Sequence, residues 1–240
     1  MKNLIYAITG SGTFVSPNAG NTIYIADSDT NKNYIEIGTI KPLDSFNVYV
    51  AEAIKSLTAK NYLEKLLDYG HPLGIPYHRM AAKQWLQRFN LDVNVENISI
   101  TSGRQNSFTL ILITLFQPGD KIAVDSYAYP NFIELANILN IQLIPVAGDA
   151  LGMLPDQLDF VCRRNNIQGI YLNPSCNNPT TVTMDINRRK DIAEVIKQYK
   201  LILLEDDTYS FLAPQDYVPI SHYVPDQFVY MHNIANYRAD

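Results

Sequence analysis

The chain has 240 residues, of which 47% are hydrophobic and 18% are charged, and its formal net charge is −5. This composition is typical of a globular protein with one large core, and the acidic balance argues against a strong nucleic-acid-binding surface. No apolar run is long enough to span a membrane, and Cys162 and Cys176 lack metal-ligand spacing, so we expect reduced thiols and a cytoplasmic location.

The first 95 residues have a mixed character. Residues 20–34 are polar and rich in Asn, Asp and Thr, which is typical of a linker. Residues 48–69 and 76–89 are predicted to be helical.

From about residue 95, short apolar strands alternate with helices. The predicted strands are 98–101, 121–126, 142–147, 169–174, 201–207 and 228–231. The predicted helices are 104–116, which reads as buried, 131–140, 155–165 and 185–199, the last capped by Asp185. This alternation predicts an α/β fold with a mostly parallel sheet covered by helices on both faces.

Polar groups follow the predicted strands, at the edge where an open α/β sheet binds ligands. Residues 102–105 (Ser-Gly-Arg-Gln) open a helix and suit a phosphate, although a plain Ser-capped helix is an alternative. Tyr129 offers an aromatic face, Asn178 an amide and Asp206 a carboxylate. This set fits a flat phosphorylated heteroaromatic ligand such as pyridoxal phosphate (PLP). No G-x-G-x-x-G or Walker sequence follows a strand.

Four segments, in order along the chain, resemble class I/II aminotransferases of fold type I. They are DYGHPLGIPYHRMAAKQWL, ITSGRQNSF, PGDKIAVDSYAYPNF and NPSCNNPTTVTMDINRRKDIAEVIKQYKLILLEDDTYSFL. The resemblance covers roughly residues 35–240. It implies the large domain of such a transferase, PLP as cofactor, an amino acid or 2-oxo acid as ligand, and a homodimer with shared active sites.

The resemblance also implies roles for residues around the cofactor ring. Asp206 should pair with the pyridine nitrogen, and Tyr129 should stack on the ring face. Asn178 and Tyr209 should bond the phenolic oxygen. Asp207, the residue after Asp206, is expected to be a solvated neighbour of that carboxylate.

Further roles concern the phosphate and the substrate. By the same resemblance, Arg104 and Gln105 should hold the phosphate, partly through backbone N–H groups. Tyr69 should reach the phosphate of a neighbouring subunit, and Gly38 lies where the family passes its backbone close to the substrate.

A lysine is missing where the family forms its Schiff base with PLP. The resemblance aligns Asn236 with that lysine, and asparagine can neither form the covalent bond nor titrate. None of the eleven lysines is predicted at the carboxyl end of a strand. We therefore predict that transamination is lost or very weak.

A second resemblance lies at the N-terminus. The segment YAITGSGTFVSPN is similar to the wing of a GntR-type winged helix, and in the MocR group such a domain precedes an aminotransferase-like domain. We therefore predict a wing remnant at 1–15, a linker at 16–45 and an incomplete aminotransferase-like large domain at 46–240, without the small domain. The helices that would enter a DNA groove are absent from these residues, so no specific DNA binding by this chain is expected.

Three functional hypotheses remain open. The first is a PLP-dependent aminotransferase acting on an amino acid. The second is the effector-sensing module of a GntR/MocR-type transcriptional regulator, which binds PLP or an adduct without turnover. The third is an inactive gene fragment.

Overall fold

The computed structural model describes residues 5–8, 12–15, 44–59, 63–213 and 216–233. The chain divides into two compact units, Met1–Val48 and Tyr49–Asp240. Within the described residues, none of the helices has both the length and the apolar character that a membrane crossing requires.

The first unit contains a β-hairpin. Strand β1 (Ile5–Ile8) pairs antiparallel with β2 (Gly12–Val15), so that Ile5 faces Val15 across the ladder. A 3₁₀ turn, Asp44–Phe46, comes later in this unit. The hairpin lies where the wing is predicted, whereas most of the predicted linker lies outside the described residues.

The second unit holds nearly all of the regular structure. Its helices are α1 (Asn47–Thr58, whose first two residues fall in the first unit), α2 (Leu63–Leu66), α3 (Pro76–Leu86), α4 (Arg104–Leu115), α5 (Pro130–Ile138), α6 (Pro155–Arg164) and α7 (Ile186–Tyr199). Its strands are β3 (Lys121–Asp125), β4 (Gln142–Val146), β5 (Gly148–Asp149), β6 (Gly152–Met153), β7 (Gly169–Leu172), β8 (Ile202–Asp206) and β9 (Phe228–Met231). Four 3₁₀ turns are Gln87–Phe89, Val95–Asn97, Ser210–Leu212 and Ile220–Tyr223.

The central sheet has five strands in the order β4-β3-β7-β8-β9, and every neighbouring pair is parallel. Strands β5 and β6 form a separate small antiparallel hairpin. The predicted parallel α/β sheet is thereby confirmed. Pro145 lies in β4, at one edge of the sheet, which is where a strand tolerates a residue without an N–H group.

Successive strand residues point to opposite faces, and each face has its own core. On one face, Leu203 packs with residues of α6 and α7 such as Leu158 and Ile192. On the other, Leu204 packs with residues of α4 and α5 such as Phe108. Helices therefore cover both faces of the sheet.

Three details of the sequence prediction are wrong. Residues 98–101 do not form a strand, because the N–H of Ile100 bonds the carbonyl of Leu73 (2.9 Å) rather than a neighbouring strand of the described chain. The helix predicted at 48–69 does not reach residue 69, because α2 ends at Leu66, and residues 60–62, between α1 and α2, lie outside the described part. Helix α4 is buried on one face only, since Ile113 is 61% exposed.

Candidate functional site

A fully buried carboxylate lies at the carboxyl end of β8. The Asp206 side chain has no solvent exposure. Tyr171 donates its hydroxyl to one carboxylate oxygen (3.0 Å), and Thr208 donates to the other (2.6 Å). The Asn173 amide donates to the Asp206 carbonyl (2.9 Å). These bonds hold the carboxylate in one orientation, with its charge kept away from water.

The Arg104 guanidinium contacts both this carboxylate and an aromatic ring. Its Nη1 lies 3.3 Å from Oδ2 of Asp206, and its Cζ lies 4.0 Å from the centre of the Tyr129 ring. Burial alone would lower the pKa of Arg104, but the Asp206 charge and then Tyr129 outweigh burial and raise that pKa. Asn131 donates to the Tyr129 hydroxyl (3.0 Å), which fixes the ring.

Helix α4 begins at this place without a side-chain cap. Its N-cap is Gly103, with φ of 88°, so the predicted Ser-capped alternative is wrong. The first backbone bond of the helix runs from Ser107 N–H to the Gly103 carbonyl (3.1 Å). The N–H groups of residues 104–106 therefore lack intrahelical acceptors, and such a helix start attracts anions.

The other predicted site residues lie on several segments of the chain. Tyr209 is buried after the end of β8, and Asn178 is half-buried in the loop after β7. Gln105 is exposed at the second position of α4, and Tyr69 is exposed on the segment before α3. Gly38 and Asn236 lie outside the described residues.

The prediction for Asp207 is wrong, because this residue is fully buried. Its carboxylate accepts from the hydroxyls of Tyr230 (2.6 Å) and Tyr217 (3.3 Å), and burial raises its pKa to about 6. Glu205, also fully buried, accepts two backbone N–H groups from residues 220–221. Burial, and then the charge of Asp207, raise the pKa of Glu205 to about 8.

A cavity of about 390 Å³ opens at the carboxyl ends of β3 and β7. Asp125 and Asn177 line it, and the Asn177 amide donates to the Asp125 carboxylate (3.3 Å). Burial raises the pKa of Asp125 to about 6. Asn173 also lines this cavity, and its buried Oδ1 has no hydrogen-bond partner within the described part of the chain.

Two residues that hold Asp206 were missed by sequence reasoning. Tyr171 is the polar member of an otherwise apolar strand, GIYL, and a buried hydroxyl in such a strand needs a partner. Burial, and then the Asp206 charge, raise the pKa of Tyr171 well above its ordinary value, so the hydroxyl stays a donor. Thr208 carried no signal beyond its place between Asp206 and Tyr209.

A parallel sheet that presents a buried carboxylate, an aromatic face and an open helix N-terminus at its carboxyl edge agrees with the fold type I PLP-dependent transferase domain that the sequence resembles. The family model for aminotransferase class I and II matches residues 41–237, and the chain belongs to that family. The cofactor of the family is pyridoxal 5′-phosphate, as the sequence predicts.

Known relatives include both regulators and enzymes. An uncharacterised HTH-type transcriptional regulator, YdeF of Bacillus subtilis, is 30% identical over 239 residues, covering 100% of this chain and 52% of the regulator. Aromatic-amino-acid aminotransferase 1 of Thermococcus litoralis is 27% identical over 181 residues, covering 73% of this chain and 43% of the enzyme.

Solved structures show the same fold. The kynurenine aminotransferase of Pyrococcus horikoshii, solved in complex with pyridoxamine phosphate (PMP), superposes with a TM-score of 0.72 at 26% identity. The match covers 80% of this chain and 50% of that enzyme. This chain thus spans about half the length of these relatives, or less.

Proposed function

We propose that this chain is a PLP-binding, aminotransferase-like domain that senses a small molecule within a GntR/MocR-type transcriptional regulator. The observation that carries the proposal is the buried Asp206 carboxylate, held by Tyr171 and Thr208 and linked to the Tyr129 ring by Arg104, which contacts both. A carboxylate so placed suits a protonated ring nitrogen, and an aromatic face suits a planar ring.

The residues present fit the cofactor. The open N-terminus of α4 suits the phosphate through the N–H groups of Arg104 and Gln105. Asn178 and Tyr209 are proposed to bond the phenolic oxygen. When bound, PLP supplies an electron sink for chemistry at an amino acid. Asp206 would strengthen that sink, because its buried charge holds the ring nitrogen protonated.

One similarity and one prediction support a regulatory role over turnover. The match to the HTH-type regulator spans 239 residues and so includes the N-terminal hairpin. The position predicted for the Schiff-base lysine is Asn236, which cannot serve as a covalent anchor or a general base.

Aminotransferase catalysis is the second candidate. Relatives named as aminotransferases favour it, as does the ring-binding set around Asp206. Amino acids or 2-oxo acids would be the small molecules in either case. We also propose a homodimer in which the exposed Tyr69 reaches the partner subunit, and a cytoplasmic location.

Titration calorimetry with PMP tests cofactor binding, because PMP has no aldehyde that could react with surface lysines. We expect saturable binding at one site, and Asp206→Asn should weaken it by about 10- to 100-fold through loss of a charge-assisted bond. Asp156→Asn, at an exposed position in the first turn of α6, is the matched control. Equal affinity in wild type and Asp206→Asn, or no binding by wild type, would contradict the proposal.

Borohydride reduction with PLP separates the two roles. A sensor without turnover should yield no stoichiometric pyridoxyl-lysine peptide and no amino-group transfer with a panel of amino acids. One fully modified lysine together with transfer activity would establish the enzyme instead.

A further inference from the structure

The Asp206 site is defined here as Asp206 with Arg104, Tyr129, Tyr171 and Thr208. The Arg104 guanidinium makes the contacts with Asp206 and Tyr129 that are proposed for the cofactor ring. The Arg104 side chain is 15% exposed, and its Nη1 lies 3.3 Å from the Asp206 carboxylate. Its Cζ lies 4.0 Å from the Tyr129 ring centre, a stacking distance that leaves no room for a second planar group between them.

A guanidinium and a protonated pyridine ring share the properties that this site recognises. Both are planar cations, both donate an N–H to a carboxylate, and both place a π-face against an aromatic ring. The Oδ2 atom of Asp206 already accepts from Arg104 and Tyr171, and its Oδ1 accepts from Thr208. These bonds fill most of the acceptor positions of the carboxylate. Because the guanidinium also lies against the Tyr129 ring, a second planar cation cannot contact both Asp206 and Tyr129 unless Arg104 leaves.

We infer that Arg104 is a resident cation of the cofactor-free site, which the ring of PLP must displace from Asp206 and Tyr129 in order to bind. The inference rests on the proposed function, because it assigns the ring to the Asp206 site. It explains how a buried carboxylate is compensated without cofactor, since an unpaired buried charge is strongly destabilising.

The displaced side chain would still be useful to the cofactor. Arg104 is the first residue of α4, whose uncapped N-terminus is proposed to hold the phosphate. A guanidinium that leaves Asp206 stays tethered beside that anion and can bind it bidentately. Arg104 would therefore oppose binding of the ring and favour binding of the phosphate.

The pair PMP and pyridoxamine separates these two effects, since pyridoxamine has the ring without the phosphate. Both are titrated by calorimetry into the 240-residue chain and its Arg104→Met variant, which keeps length and loses charge. We expect pyridoxamine to bind about tenfold tighter to the variant, because no resident cation has to be displaced. PMP should gain less or lose affinity, so that the advantage of PMP over pyridoxamine falls by about tenfold or more.

Arg88→Met is the matched control, because Arg88 is an exposed arginine that, like Arg104, lies over an aromatic ring, that of Trp85 (4.4 Å). Its affinities for both ligands should equal those of wild type. Arg104→Lys keeps the charge but loses the planar group, so we expect pyridoxamine affinity between those of wild type and Arg104→Met.

Thermal unfolding without ligand tests the resident pair by itself. Arg104→Met should lower the melting temperature by roughly 5–10 °C, because Asp206 is left buried and unpaired. Adding Asp206→Asn to Arg104→Met should restore most of this loss, since the uncompensated charge disappears. A structural role unrelated to the pair would instead give additive losses.

The outcomes distinguish this inference from the proposed function. If wild type binds PMP but Arg104→Met binds pyridoxamine no more tightly, the displacement is wrong and cofactor binding stands. If the variant binds pyridoxamine where wild type does not, the displacement is supported. If neither protein binds either ligand, both proposals fail.

Discussion

Three consecutive carboxylates, those of Glu205, Asp206 and Asp207, lie at the end of β8. Their surroundings differ: Asp206 lies in what we call the open region, and the other two lie in a closed cluster. In the open region, Asp206 is compensated by the charge of Arg104, a side chain attached to the uncapped start of α4. In the closed cluster, which comprises Glu205, Asp207, Tyr217, Ser221 and Tyr230, compensation comes from hydroxyl and backbone N–H donors that are buried with the carboxylates.

The difference shows what makes a buried charge exchangeable. The partner of Asp206 is a cation on a flexible stem beside a helix end that can take an anion. The partners of Glu205 are two N–H groups and the Ser221 hydroxyl, all in the 3₁₀ turn Ile220–Tyr223, and the N–H groups cannot leave without unfolding that turn. One strand therefore carries a site for a ligand and, one residue away, a structural anchor.

The largest expected effect on the free energy of unfolding comes from removing the Glu205 carboxylate from the closed cluster. Glu205→Ala leaves the N–H groups of Ile220 and Ser221 buried without an acceptor and opens a cavity. We expect the free energy of unfolding to fall by about 3–4 kcal/mol, as measured by urea denaturation. Glu194→Ala, on the exposed face of α7, should change it by less than about 0.5 kcal/mol.

A loss from Glu205→Ala no larger than that from Glu194→Ala would show that the turn does not depend on the Glu205 carboxylate. The affinity of folded Glu205→Ala for PMP should stay within about twofold of wild type, because the Glu205 side chain bonds residues 220 and 221 and neighbouring residues of a strand point to opposite faces.

The second effect is a dependence of stability on pH. The pKa of Glu205 is raised to about 8 from 4.5, so between these values the folded state holds a proton that the unfolded state has lost. Stability therefore falls as pH rises through this window. His232 has the opposite effect at lower pH. Burial lowers its pKa from 6.5 to about 4, so its contribution to stability rises with pH between these values and is complete above pH 6.5.

The net fall should thus appear between pH 6.5 and 8, with a size of about 1–2 kcal/mol. Urea denaturation at several pH values measures it, and Glu205→Gln, which cannot titrate, should flatten the profile. A wild-type stability that rises across this range would contradict the raised pKa of Glu205.

The smallest effect compares two helix starts. Asp185 caps α7 by accepting the N–H of Arg188 (2.8 Å), whereas α4 in the open region has no side-chain cap. Asp185→Ala should therefore lower the free energy of unfolding by about 1 kcal/mol in urea denaturation. Ser102→Ala before α4 should leave it unchanged, and an equal loss in both variants would mean that Ser102 also acts as a cap.

The sequence predicts the sheet better than the details of the site. Strands such as GIYL and LILLED are apolar runs between helices, and that pattern depends on local residues alone. The strand predicted at 98–101 is wrong because a strand needs a neighbour, which local pattern does not supply. Asp207 looked solvated for a similar reason, since the hydroxyls that bury it come from residues 10 and 23 positions further on.

The site itself was predicted in part. Asp206, Tyr129 and Arg104 were each predicted from positions after predicted strands, of which the one before Arg104 does not form, and the structure brings these three together. The pairing of Arg104 with Asp206 was not foreseen, because a 102-residue separation carries no local signal. Asn236, on which the prediction of lost turnover depends, lies outside the described residues and stays a prediction.

Pro145 makes the two edges of the central sheet unequal. Strand β4 forms one edge and lacks one N–H donor at Pro145, so an extended peptide cannot complete a ladder along it. Strand β9 ends the sheet on the other side within the described chain, and its four residues, FVYM, include no proline. Within the described residues, the edge along which an extended segment could form an uninterrupted ladder is therefore that of β9, beside the strand that carries Asp206.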